Sequence, residues 1–120
     1  MNEDLLEQIG GRQVIQRATE LFYRRVLDDD QLQHFFKRTD MAHLRSRQVM
    51  FISMLLGGKI YSGNDIHKAH ALTREHGLNG SHFDLFLRHF RAALEEAGVK
   101  SESSQKIIHL LESKRNIVVG

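Results

Sequence analysis

Apolar residues recur along the chain at intervals of three and four rather than two, so the spacing predicts helices and no sheet. A short helix over residues 3–9, carrying Leu5, Leu6 and Ile9, is expected to stop at Gly10-Gly11, where positive φ is tolerated and the chain can reverse. Val14, Ala18, Leu21, Phe22 and Val26 form the next stripe, up to the acidic break Asp28-Asp29-Asp30. A brief stretch around Leu32, Phe35 and Phe36 follows. Thr39-Asp40 then offers an N-cap to a helix with Met41, Leu44, Gln48, Phe51 and Leu55 on one expected buried stripe.

Beyond Gly57-Gly58, an irregular stretch over 59–63 leads to a shorter helix over 64–75, centred on Ile66, Ala69 and His70. Ser81-His82-Phe83-Asp84 has the form of a capping box with Asp in place of Glu. It opens a helix with Phe83, Phe86, Leu87, Phe90, Leu94 and Ala97 on one face and Gly98 as its stop. Ser101 is the expected cap of the last helix, which turns Ile107, Ile108, Leu111 and Val118 inward. No repeat, linker or low-complexity tract intervenes, so the expected organisation is one all-α domain over residues 1–120.

Composition narrows the function classes. Hydrophobic residues at 41% and charged residues at 27% describe a globular chain rather than a disordered one. No apolar run approaches the roughly 18 residues that would suggest a bilayer span. The acidic start Met1-Asn2-Glu3-Asp4 does not read as a signal peptide, so a cytoplasmic protein without a membrane partner is expected. The absence of cysteine excludes disulfides, zinc–thiolate sites and cysteine-held clusters. A net charge of +2, from 17 basic and 15 acidic residues, is too small and mixed for a nucleic-acid footprint. Eight histidines raise a metal question without answering it.

Three residues interrupt an ordinary helical bundle. Gln48 places an amide in the middle of an apolar stripe, where burial without a partner costs about 1–3 kcal/mol. It either keeps its head in water or points into a pocket. His70 falls on the inward side of a short helix between Ile66 and Thr73, as a core residue or as a ligand. Tyr23 adjoins the Leu21-Phe22 pair, so its ring suits the core while its hydroxyl needs water or a partner. His67 and His70 form an i, i+3 pair suited to chelation, with only Asp65 as a nearby carboxylate. There is no pair of Glu-x-x-His repeats, no phosphate loop, no Gly-x-Ser-x-Gly and no His-Glu-x-x-His. The 83–97 helix balances Arg88 and Arg91 with Glu95 and Glu96, which argues against a DNA recognition helix. On these residues alone, a helical interaction module remains open.

Taken together, the motifs resemble the truncated haemoglobins, and within them the first group. The resemblance runs from Leu6 to about Val118. It is carried by Gln-Ile-Gly-Gly (8–11), Leu-Phe-Tyr-Arg-Arg-Val-Leu (21–27), His-Phe-Phe (34–36) and Thr-Asp-Met (39–41). Leu-Gly-Gly (56–58), Ala-His (69–70) and His-Gly-Leu-Asn-Gly-Ser-His-Phe-Asp (76–84) continue it. It implies a shortened globin fold, two helix pairs crossed over one another around haem, the pairs being 13–27 with 41–55 and 82–97 with 102–118.

The same resemblance implies a site. His70 matches the proximal ligand to haem iron, its second ring nitrogen donating to a carbonyl or water. Phe36 matches the aromatic wedged against the porphyrin, and Tyr23, Leu44 and Gln48 match the distal ligand pocket. Phe51, Leu55, Tyr61, Ile66, His67, Leu72 and Phe83 are expected around the haem. Arg47 stands where several relatives carry a histidine that closes onto iron; its guanidinium is a poor ligand, and pairing with a haem propionate is expected instead. The sixth position is therefore expected to be open, with His43, one turn earlier, outside the stripe. Ser113 replaces a histidine that attaches haem covalently in some relatives, so non-covalent haem b is expected.

The implied function is binding of O2, CO and NO by a monomer. O2 draws negative charge when held by ferrous haem, and hydrogen bonds to charged groups contribute about 1.5–3 kcal/mol, or about 10- to 150-fold in affinity. Donation by Tyr23 with support from Gln48 would slow O2 release, which suits sensing, storage or chemistry better than delivery. The alternative is an NO dioxygenase, which turns NO into nitrate and requires a reductase partner.

Overall fold

The structure is a computed structural model and describes residues 4–57 and 80–113. Among these residues there is no strand. Helix α1 spans Leu5–Gln8, α2 spans Arg12–Leu27, a 3-10 turn covers Gln33–Phe36, and α3 spans Met41–Leu56. Helix α4 follows over Gly80–Glu96 and α5 over Ser101–Glu112. Helix α2 packs against both α3 and α4, α4 packs against α5, and α1 touches α3 and α5. The expected pairs, α2 with α3 and α4 with α5, are present and are stacked through α2 and α4. No helix among the described residues is long and apolar enough to cross a membrane.

Local sequence explains most helix ends. Asp4 caps α1 by accepting from Glu7 N at 2.9 Å, and Asp40 caps α3 by accepting from His43 N at 3.2 Å. Gly10 stands at φ +109°, and a Cβ there would meet Val14 Cγ2 at 2.9 Å, so the predicted reversal needs glycine on two counts. Gly98, at φ +99°, ends α4 as expected. Its N–H bonds Glu95 O at 3.0 Å while Val99 N bonds Leu94 O at 2.9 Å, the paired closure of a Schellman motif.

Two cap expectations fail. Ser81 lies inside α4, which already includes Gly80, so the capping-box reading starts the helix too late. Ser101 is the first residue of α5; Lys100 takes the cap position without a side-chain hydrogen bond.

One core cluster joins Ile15 and Ala18 of α2 to Val49, Ile52 and Leu56 of α3, and to Phe90, Leu94 and Ile107 of α4 and α5. A second gathers Val26, Leu32, Phe35 and Phe83, with Phe22, Phe36, Phe51 and Phe86 packed against it. The α3 stripe differs from expectation. The buried residues are Val49, Ile52, Ser53 and Leu56, whereas Met41, Leu44, Gln48, Phe51 and Leu55 are half-buried. Apolar residues surround most of α3, so three-and-four spacing fits two adjacent stripes, and packing against α2 selects between them.

The turn between α2 and the 3-10 segment is tied to α4 by Asp29. Its carboxylate lies 2.8 Å from His89 Nε2 and accepts from Gln31 N at 2.9 Å. The His89 hydrogen bond first, and the Gln31 N–H second, hold this carboxyl below the usual carboxylate range. Because folding depresses the pKa, the stabilisation is complete above the unfolded value of about 3.9 and is lost as pH falls through the folded one. Asp29→Asn should lose about 1–3 kcal/mol at neutral pH. Urea unfolding across pH 7 to 3 should show that deficit shrinking below about pH 4; a constant deficit would remove the charge from the account.

Candidate functional site

Tyr23 is the polar residue that the core encloses most tightly around an aromatic ring, at 5% exposure. It faces inward because α2 buries Ala18, Thr19, Tyr23 and Val26 along one side. Its ring meets Phe22 edge-on at 4.8 Å and 66°, and Phe36 edge-on at 5.9 Å and 79°. Phe36 in turn meets Phe86 of α4 at 6.1 Å and 81°. The 3-10 turn thus inserts an aromatic wedge between α2 and α4.

No hydrogen bond of the Tyr23 hydroxyl or the Gln48 amide is found among the described residues, where the fully buried side-chain atoms left without a partner are Ser53 Oγ and Ser104 Oγ. The two are not bonded to each other. Burial pushes the Tyr23 pKa well above the ordinary tyrosine value, with the positive charge of Arg45 opposing the shift. The hydroxyl therefore keeps its proton and presents an O–H donor in an apolar wall.

Helix α3 supplies the facing side. Leu44, Gln48, Phe51 and Leu55 are half-buried and recur at four, three and four residues, which places them on one face. Phe51 packs against both core clusters, and Phe83 is buried within the second. The tyrosine lies in the aromatic cluster of α2, the 3-10 turn and α4, and the amide lies on the half-buried face of α3.

Of the residues expected from sequence, Tyr23 and Phe83 are buried, Phe36 meets the Tyr23 ring, and Leu44, Gln48, Phe51 and Leu55 are half-buried on α3. Arg47 is exposed on α3, and His43 is exposed in its first turn. Tyr61, Ile66, His67, His70 and Leu72 lie outside the described residues. Sequence reasoning passed over Arg45, which is half-buried and heads the stripe 45-49-52-56; the signal was its four-residue spacing from Val49. It also passed over the pairing of Asp29 with His89, 60 residues apart.

The Bacterial-like globin family matches residues 4–119 of this chain. A group 1 truncated haemoglobin of Tetrahymena pyriformis is 34% identical over 119 residues, covering 98% of this chain and 96% of that protein. One from Synechocystis is 41% identical over 100 residues, covering 82% of this chain and 81% of the other. Among solved structures, truncated haemoglobin from Tetrahymena pyriformis in its Fe(III) form matches with a TM-score of 0.85 at 35% identity, over 98% of both chains. The 2/2 haemoglobin of a Synechococcus species, in the cyanomet state with covalently attached haem, gives 0.87 at 30% identity, over 97% of this chain and 98% of that one.

A buried hydroxyl without a partner contributes nothing to offset its own desolvation. Tyr23→Phe should leave stability to urea unchanged within about 1 kcal/mol, or raise it, in the chain without added ligand. A loss above about 2 kcal/mol would mean that the hydroxyl is a structural bond donor.

Proposed function

Since the chain belongs to the bacterial-like globin family, in its group 1 truncated haemoglobin branch with a two-over-two fold and haem-based binding of diatomic ligands, we propose that it binds O2, CO and NO at non-covalent haem b, with His70 as the iron ligand and Tyr23 as the distal donor. The observation that carries this reading is Tyr23, a buried residue whose hydroxyl keeps its proton and whose ring is held edge-on by Phe22 and Phe36. Haem fits these residues, because Phe36, Phe51, Leu55 and Phe83 offer apolar faces to a flat macrocycle and Tyr23 offers the polar contact a gas ligand needs. When bound, haem supplies reversible coordination of diatomic gases and a redox-active iron.

The protein's own residues set the rest. Tyr23 donates its hydroxyl proton in a hydrogen bond to the distal ligand, and its raised pKa keeps that proton in place at physiological pH. Gln48, half-buried on α3, would support Tyr23 by offering its amide to the same ligand. Leu44 and Phe51 exclude water from it. Tyr61, Ile66, His67 and Leu72, outside the described residues, are further haem contacts on this reading, and exposed Arg47 would pair with a propionate. Ser113 is exposed and donates its hydroxyl to Leu110 O at 2.5 Å, and a serine offers no imidazole for a covalent haem link. Conversion of NO to nitrate would need a reductase in addition; sustained NO loss with added reductant is the measurement that would extend the reading to it.

Two experiments test the assignment. Hemin added to the purified chain should produce a Soret band, and His70→Gly should alter both ferrous and ferric spectra, with external imidazole refilling the position. Unchanged spectra would remove His70. Tyr23→Phe should raise the O2 dissociation rate at least about tenfold while CO responds less, because CO gathers less charge. Equal responses of the two gases would indicate altered packing instead of a lost donor.

A further inference from the structure

We propose that the Asp29–His89 pair is a positioning device for the Tyr23 hydroxyl, acting through the 3-10 turn and Phe36, and that it thereby sets how long O2 is retained. The proposal rests on Tyr23 being the distal donor. Its links are all short contacts. His89 Nε2 lies 2.8 Å from Asp29 Oδ2 across 60 residues, bringing the middle of α4 against the turn that follows α2.

Asp29 uses its other groups to shape that turn. Its Oδ1 accepts from Gln31 N at 2.9 Å, and its carbonyl accepts from Leu32 N at 3.0 Å and Gln33 N at 2.9 Å. Gln33 begins the 3-10 turn and Phe36 ends it. Phe36 then presents its edge to Tyr23 at 5.9 Å. One side chain on α4 therefore controls the start of the segment whose end touches the distal tyrosine.

Burial separates this pair from an ordinary surface bridge. The Asp29 and His89 side chains are 17% and 21% exposed, whereas those of Arg25–Glu96, which joins α2 itself to α4, are 43% and 51% exposed. The same face of α4 carries His82, Phe86 and His89, and the first two meet Phe35 at 5.0 and 6.3 Å. The aromatic contacts prefer edge-on or tilted geometries over a broad range of distances, whereas the hydrogen bond fixes one donor–acceptor pair and so sets the register of the turn on α4.

Tyr23 is sensitive to that register because its hydroxyl has no hydrogen bond of its own among the described residues. Among the described residues, the Phe22 and Phe36 rings aim it. Phe22 is its neighbour on the same helix, so Phe36 is the partner whose position depends on the turn. A hydrogen bond weakens steeply as its angle closes, so a small rotation of the ring changes retention of the ligand.

The test uses the full chain reconstituted with haem, in four forms: parent, His89→Ala, His89→Gln and Tyr23→Phe, plus the His89→Ala/Tyr23→Phe double variant. Stopped-flow O2 and CO dissociation is measured beside amide exchange at Leu32 and Gln33 in the CO form. His89→Ala should raise the O2 rate at least about threefold with little effect on CO, and should deprotect both amides. His89→Gln, whose amide can donate to Asp29, should restore both properties, which also guards against a folding defect in the alanine variant. In the Tyr23→Phe background, His89→Ala should add nothing to the O2 rate. Deprotected amides with a parental O2 rate, or an equal His89→Ala effect in both backgrounds, would overturn the proposal alone. If Tyr23→Phe itself leaves O2 release unchanged, the distal reading falls and the proposal with it.

Discussion

The rest of the structure depends on helix α2 burying more than one side at once, against α3 and α4 together, in a chain of 120 residues. Ile15 and Ala18 enter the cluster shared with Val49, Ile52, Phe90 and Leu94, while Val26 enters the one built on Leu32, Phe35 and Phe83. Phe22 packs against both. Full burial of each large apolar side chain contributes about 1.5–3 kcal/mol, so displacing α2 relative to either neighbour loses several such contributions together. The two helix pairs are consequently placed by one helix, and Phe22, which packs against both clusters, meets the Tyr23 ring.

That location gives the site its chemistry. A low-polarity surround leaves an unpaired hydroxyl unstabilised, yet it also strengthens any hydrogen bond the hydroxyl makes with a ligand. The same burial keeps Tyr23 protonated, so it is a donor and not an anion. Positive charge is divided between two positions of α3: Arg45 is half-buried and its field reaches Tyr23, whereas Arg47 is exposed. The difference follows from helix geometry, since two residues along α3 turn a side chain through about 200°.

Asp29 shows how a connection acquires a structural role. Its backbone carbonyl accepts from the start of the 3-10 turn, and its side chain reaches a histidine on α4. An acidic break that ends a helix is thus also an anchor. Phe36, at the far end of the same turn, meets Tyr23 and Phe86.

The sequence by itself determined the features that rest on local physics. Gly10 and Gly98 mark reversals because their positive φ disfavours side chains, Asp40 caps α3 through its neighbouring amide, and three-and-four spacing outlines α2, α3 and α4. Tyr23, Gln48 and Phe36 were legible as candidates through their family motifs and, for the first two, as polar groups in apolar surroundings. Tertiary structure alone decided which of two apolar stripes on α3 became core, that Arg45 heads the buried stripe, and that Asp29 meets His89. It also decided that Tyr23 is enclosed without a hydrogen-bond partner among the described residues. These outcomes depend on groups many residues apart, and spacing within one helix does not specify which side of another helix will cover it.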